Sequence, residues 1–233
     1  LVLSIQHYNM NKKTMKTLVM KRITAIDLVN SNVAADQIVT TIPPVSEGVF
    51  RRVWVGNYRV LKRAKSVIPA TWVRDPKDPS ACKFNLVEAD NFKRFEHLGL
   101  LARVEWVSPD GRYLVMEKMD MSEHLRIAAV KRIFADLWVD SPDGDWQAAV
   151  DCCERLRVSM RHYYDNNMDM SLMSSLLSDP GWDRKVYYKR LDFNKGIYKI
   201  IAQLPFNVAI DLHYNNMGCD VNGDLKIIDY AGC

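Results

Sequence analysis

The sequence predicts an α+β fold in two lobes, with a strand-rich front half that contains one helix and a helix-rich back half that ends in a β-hairpin. The front half contains short apolar runs separated by Gly- and Pro-containing turns, and the back half has mostly helical spacing. Near the C-terminus, two further apolar runs flank Asn222-Gly223, a dipeptide typical of tight hairpin turns. The expected domains are a helical extension over 1–40, a first lobe over 41–119 and a second lobe over 120–233.

The composition favours a folded, cytoplasmic protein. Apolar residues make up 48% of the 233 residues, which is enough for a core. The net charge of +4 is small, so it fits an anionic ligand and does not indicate nucleic acid as a partner. The five cysteines form no CxxC pair, which argues against a zinc site or a disulfide framework. No apolar stretch is long enough for a membrane span, so no membrane partner is expected either.

The front half is predicted to contain two helices and four strands. Helical spacing over 24–38 ends at Pro43-Pro44, and Gly56-Asn57 is a plausible turn between the strands GVFRRVWVG and NYRVLKRAK. The segment VRDPKDPSACK reads as a loop, and residues 85–98 read as an amphipathic helix. The strands LLARVEWVS and RYLVMEKM follow, joined by a turn at Pro109-Asp110-Gly111.

The back half is predicted to be helical, and its buried positions include a pair of thiols. The segments with helical spacing are 121–138, 145–164 and 183–204. Cys152-Cys153 lies on the second of these segments and is expected in the core.

The C-terminal hairpin combines apolar strands with isolated polar residues. Asn216 precedes the first predicted strand and Asp229 follows the second, so both belong at the open end of the hairpin. Asp211 lies five residues before Asn216, close enough for one loop to present both side chains. Carboxylate and carboxamide oxygens suit magnesium, which indicates a site for Mg²⁺ and ATP. Ordinary turn chemistry is the alternative, because Asp and Asn are common around hairpins.

The residues D-L-H-Y-N-N-M-G and K-I-I-D-Y-A-G resemble the catalytic loop and metal-binding segment of the protein-kinase-like superfamily. The form is particularly similar to aminoglycoside phosphotransferases, choline kinases and the small protein kinases of T7-like bacteriophages. The resemblance implies a bilobal fold that binds ATP and Mg²⁺. It implies that Asp211 is the catalytic base or the carboxylate that orients the acceptor, and that Asn216 and Asp229 are metal ligands.

Upstream segments resemble further parts of the same family in the same order. Lys62, which ends an apolar strand, is similar to the lysine that contacts the α- and β-phosphates, with Arg63 and Lys65 as nearby alternatives. Glu88 on the predicted helix resembles its ion-pair partner, and Glu96 is the alternative.

The segments that would surround the nucleotide are also similar to family motifs. The segment SEGVFRRVWV stands where the family has a glycine-rich loop; aligned on Val53, it retains only Gly48. Along RYLVMEKMD, Met116 resembles the gatekeeper, and the backbone groups of Glu117 and Met119 resemble the adenine contacts.

The function that the resemblance implies is transfer of the ATP γ-phosphate to a hydroxyl. A serine/threonine protein acceptor, which would be a host protein if the chain is phage-encoded, is preferred over a small-molecule alcohol such as an aminoglycoside or choline. A pseudokinase that binds without turnover is the third interpretation, favoured by the degenerate glycine loop. The chain stops four residues after Asp229, so the expected fold lacks the usual late helices of the second lobe, either as a compact variant or through truncation.

Overall fold

The computed structural model describes residues 20–21, 24–68, 81–167, 191–209 and 211–231. These residues form a mixed structure of helices and antiparallel sheets, which confirms the α+β class. The chain divides into two compact units. The first comprises the residues up to Asn85 together with Val104–Lys118, and the second comprises Leu86–Arg103 and Met119–Cys233. The predicted boundaries at residues 40 and 119 stay a prediction.

The first unit contains a five-stranded antiparallel sheet with the order β1-β2-β3-β5-β4. Its strands are β1 Ser46–Glu47, β2 Arg51–Val55, β3 Arg59–Ala64, β4 Val104–Val107 and β5 Tyr113–Glu117. The four predicted strands are present, and the short β1 is an addition. Gly56 donates its N–H to the Arg59 carbonyl, which confirms the predicted turn between β2 and β3.

A helical segment before the sheet completes the core of the first unit. The predicted continuous helix over 24–38 is wrong in one respect, because a helical turn at 24–26 is separated from helix α1, Asn32–Thr41. The break occurs because the Ser31 hydroxyl accepts the Ala34 N–H and begins a new helix there. The segment packs on the sheet through one cluster of buried side chains: Ile26, Val29, Ala35, Ile38, Trp54, Leu61, Tyr113 and Val115.

The second unit is mainly helical and contains a two-stranded sheet. Helix α2, Cys82–Phe95, begins in the first unit and continues into the second, and its first three residues precede the predicted start at Asn85. The later helices are α3 Glu123–Ile133, α4 Asp145–Asn167, α5 Gly196–Ile201 and α6 Phe206–Ala209. The strands are β6 Met217–Cys219 and β7 Leu225–Ile227.

The predicted helix over 183–204 is shorter in its described part. Residues 183–190 lie outside the described residues, and α5 begins only at Gly196. The Asp192 carboxylate accepts the Asn194 N–H, and Gly196 has a φ of 54°, so a turn precedes the helix.

The core of the second unit includes the predicted thiol pair. Cys152 and Cys153 on α4 are both fully buried, and the Cys152 thiol lies 3.7 Å from the Phe134 carbonyl oxygen at the end of α3. Their predicted place in the core is therefore confirmed. Within the described ranges, no helix combines the length and apolarity that a bilayer crossing requires.

Candidate functional site

The predicted C-terminal hairpin is present and lies inside a small sheet of the second unit. β6 pairs with β7 in antiparallel register, Met217 opposite Ile227. On the edge of β7 that faces away from β6, the Ile227 N–H donates to the Leu100 carbonyl and the Ile227 carbonyl accepts the Ala102 N–H. On the edge of β6 that faces away from β7, Cys219 forms two backbone hydrogen bonds with Asp120, at 2.7 and 2.9 Å. The hairpin is therefore held by backbone pairing on both edges.

The two predicted metal ligands lie at the open end of this hairpin. The Asn216 carbonyl accepts the Ile228 N–H at 2.8 Å, one step beyond the last pair of the ladder. Asp229 is the next residue, and its side chain is partly exposed. The expected proximity of Asn216 to the end of the second strand is therefore observed. The metal-binding role of both residues stays a prediction.

Asp211 and Asn216 contact each other directly. The Asn216 Nδ2 donates to Asp211 Oδ2 at 3.0 Å and to the Asp211 carbonyl at 3.1 Å. Because the amide nitrogen faces Asp211, the amide oxygen is the atom that remains as a hard donor for a cation. Among the described residues, no group of three or more His, Cys, Asp and Glu side chains could hold a metal ion. A Mg²⁺ site here would thus consist of the Asn216 amide oxygen and the Asp229 carboxylate, with water and phosphate oxygens completing the shell.

Tyr214 anchors the loop between Asp211 and Asn216 on helix α3. Its ring is buried, and the Arg126 guanidinium carbon lies 4.4 Å from the ring centroid. Arg126 also donates to the Tyr214 carbonyl, and the Tyr214 hydroxyl donates to the Glu123 carbonyl, each at 3.4 Å. Burial raises the pKa of the Tyr214 hydroxyl, so it stays a neutral donor. These contacts hold the loop in one position relative to α3.

A second polar side chain of the same loop faces Asp211. His213 Nε2 lies 3.4 Å from Asp211 Oδ1, and the His213 N–H donates to the Asp211 carbonyl at 2.8 Å. From the sequence, His213 is expected to be a structural hydrogen-bonding residue of this loop and not a base, and its contacts with Asp211 fit that expectation. Both oxygens of the Asp211 carboxylate therefore have polar neighbours within one loop.

The residue after Asp229 is fixed by long-range hydrogen bonds that no local pattern predicts. Tyr230 is fully buried, and its hydroxyl donates to the Ala102 carbonyl at 2.6 Å. The Asn91 Nδ2 donates to the Tyr230 carbonyl at 2.8 Å, and the Asn207 Nδ2 donates to the Ala231 carbonyl at 3.3 Å. The backbone on both sides of Asp229 is thus held in place.

Two more of the predicted site residues belong to the second unit. Glu88 on α2 is fully buried and lies one turn before Asn91. Met119 is 6% exposed, and a Cβ added to Gly218 would lie 2.6 Å from the Met119 Cβ. A buried carboxylate needs polar partners. The predicted pairing of Glu88 with Lys62 stays a prediction.

Four of the predicted nucleotide-binding residues lie on neighbouring strands of the first unit. Lys62 on β3 is 6% exposed and pairs with Val53 on β2 and with Leu114 on β5. Met116 is buried on β5, and Glu117 is the last residue of that strand. A buried ammonium is uncommon in a sheet and requires compensation by polar groups. The roles of these residues toward ATP stay predictions.

The segment that stands for the glycine-rich loop is a tight β1-β2 connection with an ion-paired acid. Gly48 donates its N–H to the Arg51 carbonyl at 2.9 Å. Glu47, which the sequence analysis did not consider, contacts Lys65 Nζ at 2.9 Å and Arg52 Nε at 3.2 Å. Hydrogen bonds from Lys65 and Arg52 hold the pKa of the Glu47 carboxyl below its usual value. Lys65, one alternative to Lys62, is therefore engaged with Glu47.

Comparison with known proteins adds little to this geometry. No protein family and no curated protein matches the chain. Among solved structures, the chain is similar to the streptomycin–ATP–APH(2")-IIa ternary complex, with 16% identity and a TM-score of 0.30. That match covers 96% of this chain and 71% of the other. A similarity at this TM-score carries no argument about the fold or the activity of this chain.

Proposed function

We propose that the protein is an ATP-dependent phosphotransferase that transfers the γ-phosphate to a hydroxyl group with Mg²⁺. The supporting observation is the double contact of Asn216, which donates to Asp211 Oδ2 at 3.0 Å and accepts from Ile228 at 2.8 Å. The Asp211 carboxylate and the Asn216 carboxamide therefore lie at the open end of the hairpin, where Asp229 directly follows Ile228. Phosphoryl transfer depends on that kind of positioning more than on covalent chemistry.

Each polar group of the hairpin end then has one role. Asp211 orients the acceptor hydroxyl and takes its proton, because its side chain is 29% exposed and so can reach a substrate. The Asn216 amide oxygen and the Asp229 carboxylate would hold Mg²⁺, which when bound would offset the negative charge of the phosphates. The Asn216 amide nitrogen meanwhile keeps the Asp211 carboxylate in place.

The nucleotide roles are assigned to the remaining predicted residues. Lys62 would contact the α- and β-phosphates, with Glu88 holding its ammonium, and both side chains are buried. Gly48, Val53 and Met116 would line the nucleotide. The backbone groups of Glu117 and Met119 would hydrogen-bond the adenine.

The acceptor is proposed as either a protein serine/threonine or a small-molecule alcohol. Both classes present a hydroxyl to Asp211, so the geometry of the hairpin end serves either one. The choice is testable with radiolabelled ATP and two acceptor sets, a mixed protein substrate and a panel of aminoglycosides and choline. Label in protein supports the first class, and label in the small-molecule fraction supports the second.

A binding module without turnover is the second candidate, and the ion pairs of Glu47 favour it. Aligned on Val53, Ser46 and Arg51 stand where the family usually has glycine, and the Glu47 carboxylate, paired with Lys65 and Arg52, lies between Ser46 and Gly48. Fewer glycines leave fewer backbone N–H groups that can approach the phosphates closely. A weak hold on the phosphates would leave nucleotide binding without efficient transfer.

The deciding experiment measures γ-phosphate release and transfer for the wild type, Asp211→Ala and Asp229→Ala. Asp90→Ala is the matched control, because Asp90 is an exposed acid whose contact is an ion pair with Arg94 on the same helix. We expect each active-site variant to lose roughly 100-fold or more of the turnover while the control keeps it. Turnover that ignores both substitutions would exclude this mechanism.

Nucleotide binding with and without Mg²⁺ tests the metal ligands separately. We expect Mg²⁺ to tighten ATP binding to the wild type and to Asp211→Ala, and to do so much less for Asp229→Ala. Mg²⁺-independent binding by the wild type would argue against Asn216 and Asp229 as ligands. Tight binding without any turnover would favour the second candidate.

A further inference from the structure

We propose that His213 is a positioning residue that holds the Asp211 carboxylate at the oxygen that Asn216 does not hold. This inference rests on the proposed function, in which Asp211 meets the acceptor hydroxyl. His213 would raise the rate of phosphate transfer by orienting Asp211, without itself contacting ATP or a metal ion.

The contacts divide the two carboxylate oxygens between two side chains. Asn216 Nδ2 lies 3.0 Å from Oδ2, and His213 Nε2 lies 3.4 Å from Oδ1. With one neighbour on each oxygen, rotation of the carboxylate about its terminal bond is opposed from both sides. A distance of 3.4 Å is long for a hydrogen bond, but contacts of this kind commonly shorten when substrate binds.

The backbone of the loop directs the imidazole back toward Asp211. The His213 N–H donates to the Asp211 carbonyl at 2.8 Å, and the His213 carbonyl accepts the Asn216 N–H at 2.9 Å. His213 has extended backbone angles, φ −87° and ψ 159°, and immediately precedes the turn at Tyr214–Asn216. Since Tyr214 is buried beside Arg126, the residue next to His213 cannot shift freely.

A different reading of the same pair would make His213 the base and Asp211 its orienting acid, as in carboxylate–histidine dyads. The arrangement favours positioning by His213. Asp211 accepts a hydrogen bond from Asn216, and the Asn216 carbonyl accepts one from Ile228, the residue before Asp229. Asp211 is therefore the member of the pair that is connected to the proposed Mg²⁺ ligands. His213 lies on the opposite oxygen, and its side chain is the more exposed of the two, 40% against 29%.

The test compares His213→Leu with His213→Gln, because leucine removes the donor and the glutamine amide restores one at similar reach. We expect His213→Leu to lower kcat by roughly 10-fold at unchanged KM for ATP, and His213→Gln to recover most of that loss. His124→Leu is the matched control, since His124 is exposed on α3, and it should change neither constant. Melting temperatures of all variants, measured in parallel, should agree because both histidines are solvent-accessible.

A double-mutant cycle separates positioning from a general structural effect. In an Asp211→Ala background, His213→Leu should cause no further loss, because the group that it positions is gone. A further loss equal to that in the wild type would overturn the proposal. A collapse of His213→Gln to the level of Asp211→Ala would also overturn it, since His213 would then be the base.

The outcome also distinguishes this inference from the proposed function. If turnover depends on Asp211 but is unchanged by His213→Leu, the positioning role is wrong and the proposed function stands. Absence of Asp211-dependent turnover in the wild type removes the proposed function and the positioning role together.

Discussion

Asn216 donates its side-chain amide to the Asp211 carboxylate at 3.0 Å while its own carbonyl accepts the Ile228 N–H at 2.8 Å. One residue thus connects the acid of the loop to the strand that leads into Asp229. The two ends of its side-chain amide have different tasks in the proposed mechanism, the nitrogen toward Asp211 and the oxygen toward a cation.

Asn216→Asp tests the task of the amide nitrogen. The substitution keeps the size and an oxygen for a cation, but it removes the donor and sets a second carboxylate beside Asp211. We expect turnover to fall by roughly 100-fold while Mg²⁺-dependent ATP binding is retained. Asn215→Asp is the control, because the neighbouring Asn215 is exposed and should tolerate the change. Equal rates for the two variants in steady-state assays would show that the contact with Asp211 is not needed.

Gly218→Ala tests the close approach of two backbone segments in the second unit. A Cβ at this position would lie 2.6 Å from the Met119 Cβ and 3.0 Å from the Met121 sulfur. The Met119 Cβ is fixed to the backbone, so the strand must shift, and we expect a loss of about 1–3 kcal/mol in the free energy of unfolding.

Gly48→Ala is the control for that substitution, because among the described residues its added Cβ would meet only the Arg51 carbonyl, at an ordinary 3.8 Å. We expect its stability to change by less than about 0.5 kcal/mol. Urea denaturation of both variants measures the difference. Equal stabilities would mean that β6 can move away from Met119 at no cost.

Asp27→Ala tests how the N-terminal segment is attached to the sheet of the first unit. The Asp27 carboxylate accepts three backbone N–H groups of the β2-β3 turn, from Asn57, Tyr58 and Arg59, at 2.9 to 3.0 Å. Losing all three should lower the free energy of unfolding by about 1–3 kcal/mol. Asp90→Ala removes only an exposed ion pair and should cost less than about 0.5 kcal/mol in the same denaturation experiment. Similar losses in both variants would contradict the attachment.

We expect the free energy of unfolding to decline in alkaline solution, because the Cys152 thiol is buried. Burial raises the pKa of its thiol from 9.0 to about 12. Below pH 9 the thiol is protonated in both states, so its contribution to stability is complete. Between pH 9 and 12 only the unfolded chain releases the proton, which favours unfolding by up to about 1.4 kcal/mol per pH unit.

Denaturation at pH 8 to 10.5 compares the wild type with Cys152→Ala. The variant should lose stability less steeply above pH 9, although some slope remains because burial also raises the pKa of Cys153. Identical slopes for Cys152→Ala and the wild type would show that this thiol ionises alike in both states.

Some features of the site follow from neighbours in the sequence. The hairpin, its Asn222-Gly223 turn and the placement of Asn216 at its open end depend on strand periodicity and turn chemistry, which operate over a few residues. The proximity of Asp211 and Asn216 could be predicted for the same reason, since Asn216 lies five positions after Asp211.

Other features needed the folded chain. Asn91 and Tyr230 are 139 residues apart, and Tyr230 and Ala102 are 128 apart, yet their hydrogen bonds fix the backbone beyond Asp229. The orientation of His213 toward Asp211 likewise depends on the anchoring of Tyr214 by Arg126, 88 residues away.

The sequence by itself determined the α+β class, four of the five strands of the first sheet and the proximity of Asp211 and Asn216 at the hairpin end. The tertiary structure alone decided which groups form hydrogen bonds with Tyr230 and how the His213 side chain lies toward Asp211. The physical reason is range: periodicity and turn preferences express interactions between near neighbours, whereas burial and long-range hydrogen bonds depend on segments that meet only when the chain folds.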